Sequence, residues 1–133
     1  MACTSTTNPA QISVKAGTNL HITCLSFAAF YQQVILSFNQ NMSNPVGTFT
    51  GTGENKPMSA SGQSVLKVPT GSNTNIYAKF NFSTNGSQGP FQAASVCTPI
   101  VLGNPPDPVF ITVTSEDSSD NDDNDSYLTI VQI

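Results

Sequence analysis

Six of the eight acidic residues in this chain fall within ten positions: Glu116, Asp117, Asp120, Asp122, Asp123 and Asp125, in the stretch SEDSSDNDDNDSYLTI from Ser115 to Ile130. The chain has no Arg, and the nearest Lys in sequence is Lys79. Unit charges about 5 Å apart repel by about 3 kcal/mol at an effective dielectric near 20, and by under about 1 kcal/mol in water. Carboxylates packed this densely need either full hydration or a cation. Oxygen-bearing side chains alternate along the stretch as Asp120, Asp122 and Asn124, with Glu116 before them and Asp125 after. Alternating residues of a loop can converge on a hard cation, and Ca²⁺ takes about six to eight such oxygens. An EF-hand is excluded, because Asp125 stands where that loop needs its turn Gly and Val131 where it needs the bidentate Glu. As a solvated run, the same residues would confer only solubility.

The loop must be held by its flanks. VFITVTS (109–115) and SYLTIVQI (126–133) both read as strands, and together they predict an antiparallel hairpin. At about eleven residues its connection exceeds the usual hairpin loop of about 2 to 5. Elsewhere helical periodicity is never sustained, and short runs of period two recur between Gly-, Pro- and Asn-rich breaks. NIYAKFNF points Ile76, Ala78, Phe80 and Phe82 one way and Tyr77, Lys79 and Asn81 the other. TNLHITCLSF and YQQVILSF read as two strands separated by a few residues, and further strands are expected around Gln11–Val14, Val46–Thr50, Ser64–Val68 and Gln92–Cys97. The pattern predicts an all-β chain, a single domain over 1–133 folded as an antiparallel β-sandwich of about eight or nine strands. GTGENKPMSASGQS (51–64) reads as a surface loop and LGNPPDP (102–108) as a stiff connection. The first eight or nine residues are expected to be loose or to form an edge strand in an oligomer.

Composition narrows the function. Charged residues make up only 9% of the chain and the net charge is −4, so four Lys cannot form a basic stripe for nucleic acid. No apolar run approaches the roughly 18 residues of a membrane span. The N-terminus lacks a basic and an apolar segment of the secretory kind, which predicts a cytoplasmic protein. Cys3, Cys24 and Cys97 then read as reduced thiols, the one bridging pair considered being Cys24 with Cys97. In a cytoplasmic protein the sequons at Asn41, Asn81, Asn85 and Asn124 are incidental. Catalysis lacks parts. The only histidine, His21, is out of phase with Leu20 and Ile22, and a strand turns it away from Cys24. Acids crowded into one loop do not offer the two opposed faces of glycoside hydrolysis.

Ser115 to Asp125 as a block resembles the calcium loop of the bacterial calcium-mediated fucose/mannose lectins: a Ser-Glu-Asp, two small residues, then Asp-Asn-Asp-x-Asn-Asp. VGTFTG, NIYAKFNFSTNG and GTNLHITCLSF are similar to other strands of that family, so the resemblance spans most of the chain. The neutral, Asn- and Thr-rich composition also resembles cytoplasmic fruiting-body lectins of fungi. The resemblance implies a lectin that binds fucosylated glycans without chemistry, with Ca²⁺ held by Glu116, Asp120, Asp122, Asn124 and Asp125. Asp117 would accept a sugar hydroxyl. Two positions depart from the family: Phe27 stands where it supplies an Asn ligand, followed by Ala28, Ala29 and Phe30 instead of a small polar loop. By the same alignment Ile133 falls short of a C-terminal Gly whose carboxylate reaches a neighbouring subunit's calcium.

Without metal, Asp117, Asp120, Asp122, Asn124 and Asp125 could hold sugar hydroxyls in charge-assisted hydrogen bonds. The apolar face of the sugar would pack on Phe30, Tyr31 or Tyr127, each of which could instead be an ordinary sheet residue. Weak single-sugar sites call for several per particle, so a homo-oligomer is expected, with the apolar end of SYLTIVQI buried against another subunit or completing the core. Defence against animals feeding on the fungus follows from the resemblance. The competing reading is a structural or adhesive sandwich whose acidic loop is solvated or clamped by calcium, with no glycan ligand.

Overall fold

The computed structural model describes residues 3–62, 64–71, 74–116 and 125–133. Twelve strands appear among them: β1 (Ser5–Thr6), β2 (Ala10–Val14), β3 (Asn19–Ser37), β4 (Gly47–Pro57), β5 (Ser59–Gly62), β6 (Val65–Lys67), β7 (Thr74–Ser83), β8 (Gln92–Ala93), β9 (Ser95–Cys97), β10 (Ile100–Leu102), β11 (Val109–Glu116) and β12 (Ser126–Gln132). They form a continuous antiparallel ladder, and a single turn of 3₁₀ helix (Gly86–Gln88) is the one helical element described. No helix among the described residues is long and apolar enough to cross a membrane.

β3 makes the sandwich. Its first half pairs with β12 and β6, and its second half with β7 and β4. The pairing with β4 slips twice, between Ser26 and Ala28 and between Ala28 and Gln32. Such bulges bend a strand and sharpen its twist, and here they carry one strand from one layer into the other. The two expected strands, TNLHITCLSF and YQQVILSF, are therefore one, because the Ala-Ala-Phe between them contains neither Gly nor Pro to break the chain. The core lies between the halves: Ile111, Val113, Leu128, Ile130, Leu20 and Ile22 face Ile12, Ile76, Phe80, Val34 and Leu36, all buried in one cluster.

Three further expectations are corrected. The tract 51–64 is the end of β4 and all of β5 rather than a surface loop; its side chains are mostly exposed, so backbone pairing and not apolar alternation holds it. Gly53, at φ +106°, adopts a conformation that suits only Gly and lets β4 follow the bend. The described part of the N-terminus is not loose: Ser5–Thr6 form β1, an edge strand that pairs with β9 of the same chain. Finally, the cysteines are not all reduced. Cys3 and Cys97 form a disulfide with Cα atoms 5.7 Å apart, and Cys24 alone is free, buried so that its thiol is pushed well above its ordinary range. Cys97 ends β9 and pairs with Ser5 of β1, which brings Cys3 to it; the two cysteines lie 94 residues apart in sequence, and the contact has no local signal.

Candidate functional site at the neck of the acidic loop

β11 and β12 stay in register from Val109–Gln132 to Ser115–Ser126, so Glu116 and Asp125 emerge side by side at the neck of the loop. The Asp125 N–H donates to the Ser115 carbonyl (2.9 Å), and the Asp125 carbonyl accepts from the Phe27 N–H (2.9 Å). One residue, Asp125, is thus fastened to β11 on one side and to β3 on the other. Beneath it, the Ser126 hydroxyl donates to Gln32 Oε1 (2.9 Å), and Gln32 Nε2 donates to the Phe30 carbonyl (3.1 Å). Gln32 and Ser126 are both buried, so this chain of bonds ties the neck to the bend of β3. On the far side of the bend, the Thr52 hydroxyl donates to the Ala29 carbonyl at 2.9 Å.

Glu116 and Asp125 are buried, at 4% and 3% exposure. Taking a carboxylate out of water costs several kcal/mol unless hydrogen bonds or a cation offset it. None of the four Lys is buried with them. Ser115 Oγ is also buried and has no hydrogen-bond partner among the described residues. The neck therefore concentrates oxygen atoms in a dry setting.

Of the sequence-predicted residues, Asp117, Asp120, Asp122 and Asn124 lie outside the described residues. Glu116, Asp125 and Tyr127 are brought together at the neck. Phe30 and Tyr31 sit on the bend of β3, where the Phe30 ring stacks on Phe82 (6.0 Å) and packs against the core, and the Tyr31 ring meets Phe91 (6.3 Å). The aromatic beside Tyr127 is Phe27, their centroids 5.0 Å apart and both half-buried. Sequence reasoning treated Phe27 only as a replaced ligand, yet a signal was present: it is out of phase with the inward Leu20, Ile22, Cys24 and Ser26. Among the described residues no group of three His, Cys, Asp or Glu side chains converges.

Comparison with known proteins places this geometry. The chain folds like the high-affinity mannose-binding lectin of Ralstonia solanacearum (TM-score 0.68, 23% identity, covering 94% of this chain and 96% of that one). It is equally similar to the Chromobacterium violaceum lectin CV2L, solved with alpha-methyl-fucoside (TM-score 0.69, 21% identity, 94% and 96% covered). The C-terminal domain of the BC2L-C lectin of Burkholderia cenocepacia follows (TM-score 0.66, 18% identity, 92% and 94% covered). No curated protein matches by sequence alone. The class is that of carbohydrate-binding lectins, which bind sugar and do no chemistry on it. Residues 12–132 match the model of the fucose-binding lectin II (PA-IIL) family, and the chain belongs to that family.

Proposed function

We propose that this lectin binds the terminal fucose of glycans at the acidic loop, and that Ca²⁺ takes part. The observation that carries the reading is the burial of Glu116 and Asp125 at the two ends of a segment in which half of the intervening residues are Asp. That donor set suits a hard cation, which Glu116 and Asp125 would hold with Asp120, Asp122 and Asn124. Bound there, Ca²⁺ would neutralise the carboxylates and accept sugar hydroxyl oxygens. Asp117 would accept a further hydroxyl. Tyr127, backed by Phe27, offers an aromatic edge for the apolar face of the sugar. Capture on surfaces bearing fucosylated, mannosylated or galactosylated oligosaccharides tests the choice: retention on the fucosylated surface, competed by free fucose, is expected, and equal retention on galactose would refute it.

A homo-oligomer completes the proposal. On the outer face of β10, β11, β12, β3 and β6 the register aligns Leu102, Phe110, Val131, His21 and Val65 in one row, and Leu102 and Phe110 are 65% and 49% exposed. Ile100 and Ile133 are exposed on the same sheet. β11, β12 and the first half of β3 contribute about seven residues each and β10 and β6 three each, a face of roughly 450 Å² before side-chain relief, about half of the ~800 Å² each partner of a stable dimer buries. Phe110→Asp should give a monomer by sedimentation if a second copy covers this face. The defensive role proposed is cross-linking of a feeding animal's glycans by a multivalent fungal lectin; its support is the sequence resemblance, and its test is toxicity lost in Asp122→Ala. The Cys3–Cys97 disulfide fits an oxidising compartment better than the cytoplasm. Mass measurement after alkylation of the native protein decides between them.

A further inference from the structure

At the end of the sandwich opposite the acidic loop lies a cleft of about 460 Å³, bordered by Val109 at the start of β11. The eight residues of β11 separate it from Glu116 by roughly 24 Å. Strand ends build it: Ser13 and Lys15 at the end of β2, Asn75 in β7 and Gln132 at the end of β12, with Asn104 and Pro105 from the connection that follows β10. That connection turns at Gly103, φ +98°, where a Cβ would run into the Pro108 carbonyl oxygen.

The polar groups here are mostly donors. Gln132 is 5% exposed, its Oε1 accepts from the Lys15 backbone N–H (2.7 Å), and among the described residues no acceptor meets its Nε2. The Ser13 hydroxyl donates to Asn75 Oδ1 (3.3 Å), which leaves the Asn75 amide hydrogens available. The Lys15 ammonium is exposed and has no carboxylate partner among the described residues. Among the described residues no acidic side chain lines the cleft; Asp107, on the same connection, is exposed and outside it. Such a lining complements a ligand that is anionic at one end and hydroxylated along its ring.

We propose a second glycan site in this cleft, for a saccharide that carries a carboxylate, a uronate or a sialate. The carboxylate meets the Lys15 ammonium and the Asn104 amide, ring hydroxyls meet Gln132 Nε2 and Asn75, and the apolar ring face lies on Pro105. The site is independent of the fucoside reading.

Methyl β-glucuronide titrated into the ¹⁵N-labelled protein tests it, with methyl β-glucoside as the neutral control and methyl α-fucoside added last. The expected result is saturable shifts of the amides of Ser13, Lys15, Asn75, Asn104 and Gln132 with the glucuronide alone. Lys15→Met, which keeps the side-chain stem, should weaken that binding by about fivefold, the worth of one exposed ion pair. Absence of those shifts, equal shifts with the glucoside, or an unchanged Lys15→Met variant would overturn the proposal. The fucoside response of the same sample, at the opposite end, reports the other site separately.

Discussion

At one end of the β11–β12 hairpin the buried polar groups include the carboxylates of Glu116 and Asp125; at the other end they are represented by the neutral amide of Gln132. The ladder between the ends is the same, built on Ile111, Val113, Leu128 and Ile130, none more than 1% exposed. Its interior is spent on packing, so recognition is left to the termini of the strands, where side chains can leave the core. What differs is the company each end keeps. The acidic end buries Glu116 and Asp125 with no buried Lys among the described residues, and the sequence between them adds four more Asp, a composition that suits a cation. The amide end has one Lys and no lining carboxylate, and it suits an anion.

Substitutions can separate the two ends. The largest effect is expected from Asp122→Ala, which should remove fucoside binding in calorimetry while leaving the glucuronide response intact; loss of both would mean that the ends are not independent. Reducing the Cys3–Cys97 disulfide should cost about 2–4 kcal/mol of stability, read as a lower melting temperature, and should act on the acidic end, because β9 pairs with Ser115 and Glu116. Cys24 should resist thiol reagents in the native protein and react only after unfolding, since it is buried with a raised pKa. Next comes Ser126→Ala, which removes one hydrogen bond that Gln32 Oε1 accepts inside the core. A loss of about 0.5–1.5 kcal/mol by chemical denaturation is expected, and no change would show that the neck is not held by this bond. Smallest is Tyr127→Ala, expected to weaken fucoside binding by about two- to tenfold, the value of an aromatic contact; an unchanged affinity would return Tyr127 to an ordinary sheet position.

The hairpin was legible in the residues because both its strands alternate over most of their length, Phe110 and Val131 being the apolar exceptions on the outer face, and so was the phase of Ile76, Ala78, Phe80 and Phe82, all of which face the core. β4 beyond Thr50 and β5 were not, since strands held by backbone pairing with exposed side chains carry no apolar period. The single β3 was hidden by its bulges, which mimic a turn in the pattern while the chain continues. Long-range partners were invisible for a different reason. Cys3 with Cys97 and Ser126 with Gln32 are each 94 residues apart, and nothing local to either residue encodes the other. The acidic residues stood out at once, but the burial of Glu116 and Asp125 depends on how β9 and β3 close around the neck, which only the assembled sheet reveals.

The central claim is a calcium-assisted fucose site, and calorimetric titration of methyl α-fucoside in calcium buffer and in excess EDTA tests it most directly. Binding in calcium, abolished by EDTA and restored when calcium is returned, is the expected result. Binding that persists in EDTA would contradict the metal's part, and the absence of heat in either buffer, repeated with mannose and galactose, would contradict the sugar site itself.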